Sequence, residues 1–297
     1  MGYVPLAVLG SLFFAFNNIF QRRAVIRVTD AAIGVLITVP MAAILYLIIL
    51  VSLGQVSSIF SFSWQSYLWL AAAGIINYAI GRSLRYYLMQ LSGANISNLL
   101  VSSSRPMFAV FFAITLLNEP LTWELAVGLS LIVSGLVING LNPQIFKGEG
   151  RLFSGIPGKA YLLALGIGLA VGLAPILIKL GLGGSGSPVA GAFIAHSVAT
   201  LSFIPLLFDH KKRVSLVTMK RGALGYFLLA GFFAAIAQLF RYSALGIGPA
   251  SVVAPLFSIS PIFALLLAFF FNRKLEVFNR NVILGTVVVI VGAITLA

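Results

Sequence analysis

The chain has 297 residues, 60% of them hydrophobic and only 8% charged, with a mean hydropathy of +1.09. Soluble domains carry roughly a quarter charged residues, so the composition argues against a soluble enzyme, a disordered chain and a nucleic-acid-binding domain. Nineteen bases against six acids give a net charge of +13, which in so apolar a chain marks the cytoplasmic loops of a membrane protein, and the absence of Cys removes disulfides, thiolate catalysis and Cys-based metal or haem sites.

A helix needs about 20 residues to cross the hydrocarbon core. In chain order, ten apolar segments meet that length within a few residues: about 3–21, 31–53, 65–88, 94–117, 122–141, 159–180, 188–208, 222–245, 249–271 and 281–297. The run from Met1 to Ala15 has no basic region before its apolar stretch, so insertion by the first span is expected rather than a cleaved signal peptide. Backbone groups in lipid must bond within their own segment, which makes these spans helices. The two longest connections, 142–158 and 209–221, leave no room for a soluble domain.

Charge sorts the connections into two sides. The connection between spans 1 and 2 holds Arg22, Arg23 and Arg27; that between 5 and 6, with its flanks, holds Lys147, Arg151 and Lys159. Lys211, Lys212, Arg213, Lys220 and Arg221 lie between 7 and 8, and Arg273, Lys274 and Arg280 between 9 and 10. The alternate connections hold no Lys or Arg. The positive-inside rule then puts the basic side in the cytoplasm and both termini outside. The expected location is the plasma (inner) membrane, multi-pass.

The chain also repeats itself. Arg85-Tyr86 lies nine residues before Ala94, as Arg241-Tyr242 does before Ala250. Pro106 follows Ala94 by twelve residues, and Pro261 follows Ala250 by eleven. Glu119, Gly128 and Gly135 share their spacing with Glu276, Gly285 and Gly292; Tyr3, Gly10 and Gln21 share theirs with Tyr161, Gly168 and Lys179. Residues 1–145 and 159–297 thus form two five-helix units joined by a cytoplasmic linker, 146–158. Five is odd, so the second unit enters from the opposite side: an all-α integral membrane protein of ten helices in two inverted repeats. Secondary transporters use this plan, with substrate near the midplane and alternating access between halves.

These features resemble the drug/metabolite transporter superfamily, specifically its EamA-type ten-helix carriers. The resemblance rests on Arg85-Tyr86 to Ala94, Pro106, Asn118-Glu119-Pro120-Leu121-Thr122 and Gly128…Gly135, and on their second copies Arg241-Tyr242-Ser243-Ala244-Leu245, Pro249-Ala250, Pro261, Glu276 and Gly285…Gly292. It covers nearly the whole chain. It implies transport of a small metabolite through a cavity built from spans 1, 3, 4, 6, 8 and 9, with spans 5 and 10 as peripheral packing helices. Two departures stand out. Many relatives keep both termini inside, opposite to the charge pattern here, and Asn272-Arg273-Lys274-Leu275 lengthens the turn before Glu276.

Five bases fall inside spans: Arg82, Arg85, Arg105, Lys179 and Arg241. A cation in hydrocarbon must find an anion, a carbonyl, water or the interface. Arg82 and Arg85, a turn or two from the cytoplasmic end, have snorkelling as an alternative, as do Lys179 and Arg241 near the outer ends. Arg105 is mid-span, just before Pro106. Tyr78, Arg82 and Arg85 share a helical face at i, i+4 and i+7, with Tyr86 beside them. Gln238 shares one with Arg241 and Tyr242, and Asn17 and Gln21 answer Pro175 and Lys179 across the repeat. Arg105, Arg85, Arg82, Arg241, Lys179, Tyr78, Tyr86, Tyr242, Gln238, Asn17 and Gln21 are therefore the candidate substrate-binding residues, with Pro106 and Pro261 as candidate kinks that shape the cavity. Ser102, Ser103 and Ser104 have helix packing as their alternative role. His196, mid-span, is expected as a hydrogen-bonded core residue rather than a proton carrier. Gly168 and Gly172 form a small-xxx-small packing pair.

A cavity rich in cations and free of carboxylates prefers an anion, since Arg forks suit carboxylate and phosphate. The leading expectation is a secondary transporter of a small organic anion, a carboxylate or phosphorylated compound, working by exchange or down a gradient. The alternatives are an amino-acid or neutral-metabolite exporter and a lipid-phosphate flippase. A membrane-embedded transferase is disfavoured because no span holds an acid. No catalytic residue, metal or cofactor is expected; the partners are a small-molecule substrate and the lipid bilayer, with no nucleic acid, and the protein is a monomer or homodimer.

Overall fold

The structure, a computed structural model, describes residues 2–25, 27–28, 30–140, 158–184, 186–271 and 280–296. Side chains are described for these except at 31–32, 86, 89–99, 139–140, 265, 268–271 and 282. The expected linker 146–158 apart from Gly158, the longer turn at 272–275, Glu276 and the side chain of Tyr86 lie outside the described residues.

Among the described residues the chain is helical, with no strand. In order the helices are α1 (Tyr3–Val25), α2 (Val35–Ser52), α3 (Trp64–Gly74), a π-helical segment (Ile75–Gly81), α4 (Arg82–Leu117), α5 (Trp123–Gly140), α6 (Gly158–Leu182), α7 (Pro188–Ser202), α8 (His210–Val217), α9 (Arg221–Ile247), α10 (Ala250–Phe257), α11 (Ser260–Phe271) and α12 (Arg280–Leu296). Six stretches are long and apolar enough to cross a membrane, namely Tyr3–Val25, Val35–Ser52, Leu100–Leu117, Gly158–Leu182, Pro188–Phe208 and Arg221–Ile247. Three shorter apolar helices, Trp123–Ile138, Ala250–Ala264 and Ile283–Leu296, coincide with expected spans 5, 9 and 10. Expected span 3 is assembled from α3, the π segment and the first turns of α4. The protein is therefore a multi-pass, all-α membrane protein.

At 36 residues, α4 would be about 54 Å long if straight, well beyond a hydrocarbon core of about 30 Å. The contacts of this stretch and the one before it with α6 show that the chain does not run straight through both. A Cβ on Gly181 would meet Leu70 and one on Gly81 would meet Val171, so the chain up to Gly81 runs antiparallel to α6. Ser104 lies against Gly168 and Phe108 against Gly172, so the later part runs parallel to it. The chain therefore reverses between Gly81 and Ser104, and α4 supplies the end of one span and the whole of the next.

Glycines set the other close approaches, as expected where lipid gives helices no hydrophobic reason to associate. A Cβ on Gly135 would lie 2.6 Å from Gly285 O, and one on Gly292 would lie 2.8 Å from Gly128 O. The repeated glycine pairs of α5 and α12 therefore pack directly on one another. Likewise, a Cβ on Gly10 of α1 would lie 3.1 Å from Ala237 O of α9. Beyond Gly10, Phe13, Phe16 and Phe20 of α1 stack on Phe233, and Phe13 stacks also on Phe240 at 5.6 Å between centroids.

The prolines part company with the symmetric expectation. Pro106 lies inside α4. Pro261 is not a mid-helix kink: it sits in the first turn of α11, where a missing N–H costs nothing. The interruption lies just before it, between Phe257 and Ser260, where Ser258 N–H and Ile259 N–H reach back only three residues, to Pro255 O and Leu256 O. Pro205 opens a short 3₁₀ turn, Ile204–Phe208, at the end of α7. The expected 209–221 connection contains a helix, α8, whose Lys212 bonds Asp30 at 3.1 Å.

Candidate functional site

The π segment carries an extra residue per turn, a distortion that recurs at functional sites. It is wedged between α7 and α6, with the backbone of Ala195 against Gly74 and Val171 against Gly81. It presents Asn77 and Tyr78 to a cavity in the middle of the helical assembly. The next turn, at the start of α4, adds Arg82 and Arg85; the second span of α4 adds Val101 and Arg105. Ile167 and Val171 of α6, Gln238 and Arg241 of α9, Phe257 at the end of α10, Phe14 of α1 and Gly81 complete the wall. Four of the thirteen lining residues are arginines and none is acidic. The cavity is partly open, and its interior holds about 50 Å³ of space for water-sized groups.

Each arginine whose contacts are described meets neutral groups. Arg105 donates to the Ser258 hydroxyl at 3.0 Å, at the break between α10 and α11. Arg82 donates to the Thr38 hydroxyl at 3.1 Å and lies 5.6 Å from the Tyr78 ring centroid. Arg241 is 4% exposed, its guanidinium stands 5.2 Å from the Phe257 ring centroid, and its Nε–H has no hydrogen-bond partner. The buried Oε1 of Gln238, one turn away, also lacks one. A guanidinium stays protonated in proteins, so these partners solvate the charge without cancelling it. Burial of Arg241 to this degree leaves no path by which it snorkels to an interface.

The structure thus gathers six of the eleven sequence candidates, Arg82, Arg85, Arg105, Arg241, Tyr78 and Gln238, around one cavity. Asn17, Gln21, Lys179 and Tyr242 are not among its lining residues. Asn17 donates to Ala230 O at 2.8 Å and ties α1 to α9. Gln21 is half-buried farther along α1, and Tyr242 is fully buried.

Lys179 is engaged in a clamp instead. Its Nζ donates to Glu119 Oε1 at 2.9 Å and to Gly248 O at 2.8 Å. Glu119 also accepts the backbone N–H groups of Ala250 and Ser251, both at 2.8 Å, and so caps the N-terminus of α10. Asn118, in the left-handed region at φ 53°, turns the end of α4 so that Glu119 reaches this position. Burial by itself would raise the Glu119 pKa; the hydrogen bonds from Ser251, Lys179 and Ala250 outweigh it and hold the carboxyl below the ordinary carboxylate range. The carboxylate that answers Lys179 comes from outside the spans: Glu119 belongs to the turn after α4, and only the tertiary fold brings it to α6.

His196 is a core residue. Its Nδ1 bonds Ala192 O at 2.8 Å, and its ring packs 4.1 Å from Tyr78 and 5.1 Å from Tyr46 between centroids. Sequence reading missed Phe14, Asn77 and Phe257 as cavity residues. The only available signal was their place on spans with candidate residues, because phenylalanine in a membrane span is otherwise unremarkable.

Helices long and apolar enough to cross a membrane thus surround an arginine-lined cavity, the plan of a membrane transporter. The EamA-like transporter family model matches residues 1–141 and 158–297, and the chain belongs to that family. A solved structure described only as "Crystal structure of protein" is similar in fold, with a TM-score of 0.79 and 14% identity over 99% of this chain and 96% of that one. A search of curated proteins found no significant match.

Proposed function

We propose that the protein moves a small organic anion across the membrane by alternating access through the central cavity. One observation carries this reading: four arginines from three separate stretches of chain line one cavity, with no acidic side chain among its described lining residues. Bringing like charges together away from water is costly unless an anion joins them. Arg105, Arg82, Arg85 and Arg241 bind the anionic group, while Phe14, Phe257, Ile167 and Val171 contact the apolar remainder.

The two halves, 1–145 and 159–297, act as inverted repeats that rock about this site. The spacing repeats and the matched glycine contacts of α5 and α12 support that reading. Exchange, or movement down a gradient, fits better than proton antiport, because His196 is engaged in the core. A second reading, export of an amino acid, is favoured by the unpartnered Gln238 Oε1, which suits a substrate N–H or O–H beside the carboxylate.

The test is counterflow in vesicles loaded with one of a panel of carboxylates, sugar phosphates, zwitterionic amino acids or amines. Counterflow of phosphates or carboxylates, lost in Arg105→Ala, is expected. Transport confined to amines would overturn the anion reading, and transport confined to amino acids would replace it with the exporter.

A further inference from the structure

Exposed apolar side chains are ordinary on the outside of a membrane protein, but one stretch of this surface is concave. An open groove of about 690 Å³ lies between Met41 of α2 and the face of α9 that carries Gly222, Gly225, Tyr226, Leu229 and Phe232. Ligand pockets measure about 300–1,000 Å³. Two glycines keep the groove clear, since a Cβ on Gly222 or Gly225 would meet no described atom within 4 Å. From Gly222 to Phe232 the helix rises about 15 Å, one leaflet's share of a hydrocarbon core of about 30 Å. Charge gathers at one end. Lys220 and Arg221 directly precede Gly222 and are exposed. Arg27, also exposed, holds its guanidinium 4.7 Å from the Tyr226 ring centroid, and that of Arg23 lies 6.0 Å from it. The acids of these two connections are engaged elsewhere, Asp30 with Lys212 at 3.1 Å and Asp209 with the N–H of Lys211 at 2.9 Å. No charged residue lines the groove itself.

We propose that this groove holds an acyl chain of one anionic phospholipid, whose phosphate rests among Arg27, Lys220 and Arg221 on the basic side of the membrane. The occupant must be apolar over the depth of one leaflet and negative at one end, and such a lipid is both. A free phosphate would answer the bases and leave the groove empty. A zwitterionic lipid would fill the groove and bring no net charge to the bases. A second copy of the chain packed here about a twofold axis would set the same bases against each other. The inference does not rest on the transport reading, because the groove and the central cavity share no lining residue.

The test is native mass spectrometry of the purified, delipidated protein titrated with phosphatidylglycerol or with phosphatidylcholine of the same acyl chains. The expected result is one saturable phosphatidylglycerol per chain, bound about tenfold more tightly than phosphatidylcholine. Gly225→Trp fills the groove where no described atom stands in the way, and it should weaken phosphatidylglycerol binding about tenfold while the variant still elutes as a single folded species. Arg27→Gln, an exposed position and the second variant should the first fail to fold, should weaken it about fivefold and leave phosphatidylcholine binding unchanged. Gly166→Trp, a substitution into open space on α6, should change neither. Equal binding of the two lipids overturns the proposal, as does phosphatidylglycerol binding unchanged in folded Gly225→Trp. A wild-type dimer that Gly225→Trp dissociates with the lipid still bound would assign the groove to a second copy and overturn it too. None of these readouts involves transport, so loss of the lipid site would sink this inference alone, and failed counterflow the transport reading alone.

Discussion

Arg105 lies between two demands. Its guanidinium is held by Ser258 at the break between α10 and α11, and it faces a cavity with no acid in its lining. A hydrogen bond involving a charged group contributes about 1.5–3 kcal/mol, so Arg105→Ala should weaken binding of an anionic substrate by roughly tenfold to a hundredfold. Insertion and folding should survive, because the variant removes a buried charge. Thermal-shift titration with the best counterflow substrate measures the change, and unaltered affinity would remove Arg105 from the site. Glu119 makes the opposite kind of prediction. Its carboxylate accepts from Lys179 and from two backbone N–H groups of α10, so Glu119→Gln should cost roughly 1–3 kcal/mol and lower the unfolding temperature. Its pKa is depressed by the fold, so its contribution is complete above the ordinary carboxylate range and is lost as pH falls through the depressed value. Unfolding temperature measured against pH on the acid side should therefore drop more steeply in the wild type than in Glu119→Gln.

At the scale of the helix, small residues decide how close the cavity walls stand. A Cβ on Gly172 would lie 2.7 Å from Phe108 Cβ and 3.1 Å from Arg105 O. Both neighbours belong to the span that carries Arg105, so Gly172→Ala should push that span away. Overpacking costs about 1–3 kcal/mol, and here the displacement also moves the guanidinium. Gly166, one and a half turns away on α6, faces open space, so Gly166→Ala should leave both stability and transport unchanged. Unfolding temperature and counterflow on the pair separate contact from helix propensity: equal behaviour of the two variants would mean that α4 yields at no cost. The α5–α12 contact is tighter still, since the obstacle there is backbone, Gly285 O. Gly135→Leu should abolish stable expression more readily than either change in α6.

The whole molecule is organised by charge across the membrane and by reversal of the chain within it. With the proposed orientation, the basic loops and α8 face the cytoplasm, and the Glu119–Lys179 clamp sits on the opposite side. The chain has no cysteine, so single introduced cysteines report cleanly. Gln55→Cys should react with an impermeant maleimide in intact cells, and Arg213→Cys should react only after permeabilisation. The reverse pattern would invert the proposed topology without altering the cavity.

Much of this architecture is legible in the sequence, and the limit falls at identifiable residues. Apolar runs longer than a bilayer is thick, separated by basic connections, leave the chain no soluble alternative, and the EamA-type repeat spacing is visible by eye. The arginine-bearing spans could be named for the same reason: charge in a span is rare enough to be noticed. Three things came only with the tertiary structure. The π segment that turns Asn77 and Tyr78 toward the cavity depends on how α3 packs against α6 and α7, and no local pattern encodes an extra residue per turn. The break near Ser258 falls before Pro261 rather than at it, because proline in a first helical turn is harmless. Lys179 and Arg241 look alike in sequence, each a cation near the outer end of a span. Which one meets a carboxylate and which one stays buried beside the cavity was decided by a turn sixty residues away, because pairing of charges is a matter of distance in space, and a span's own sequence specifies only that the charge must be answered.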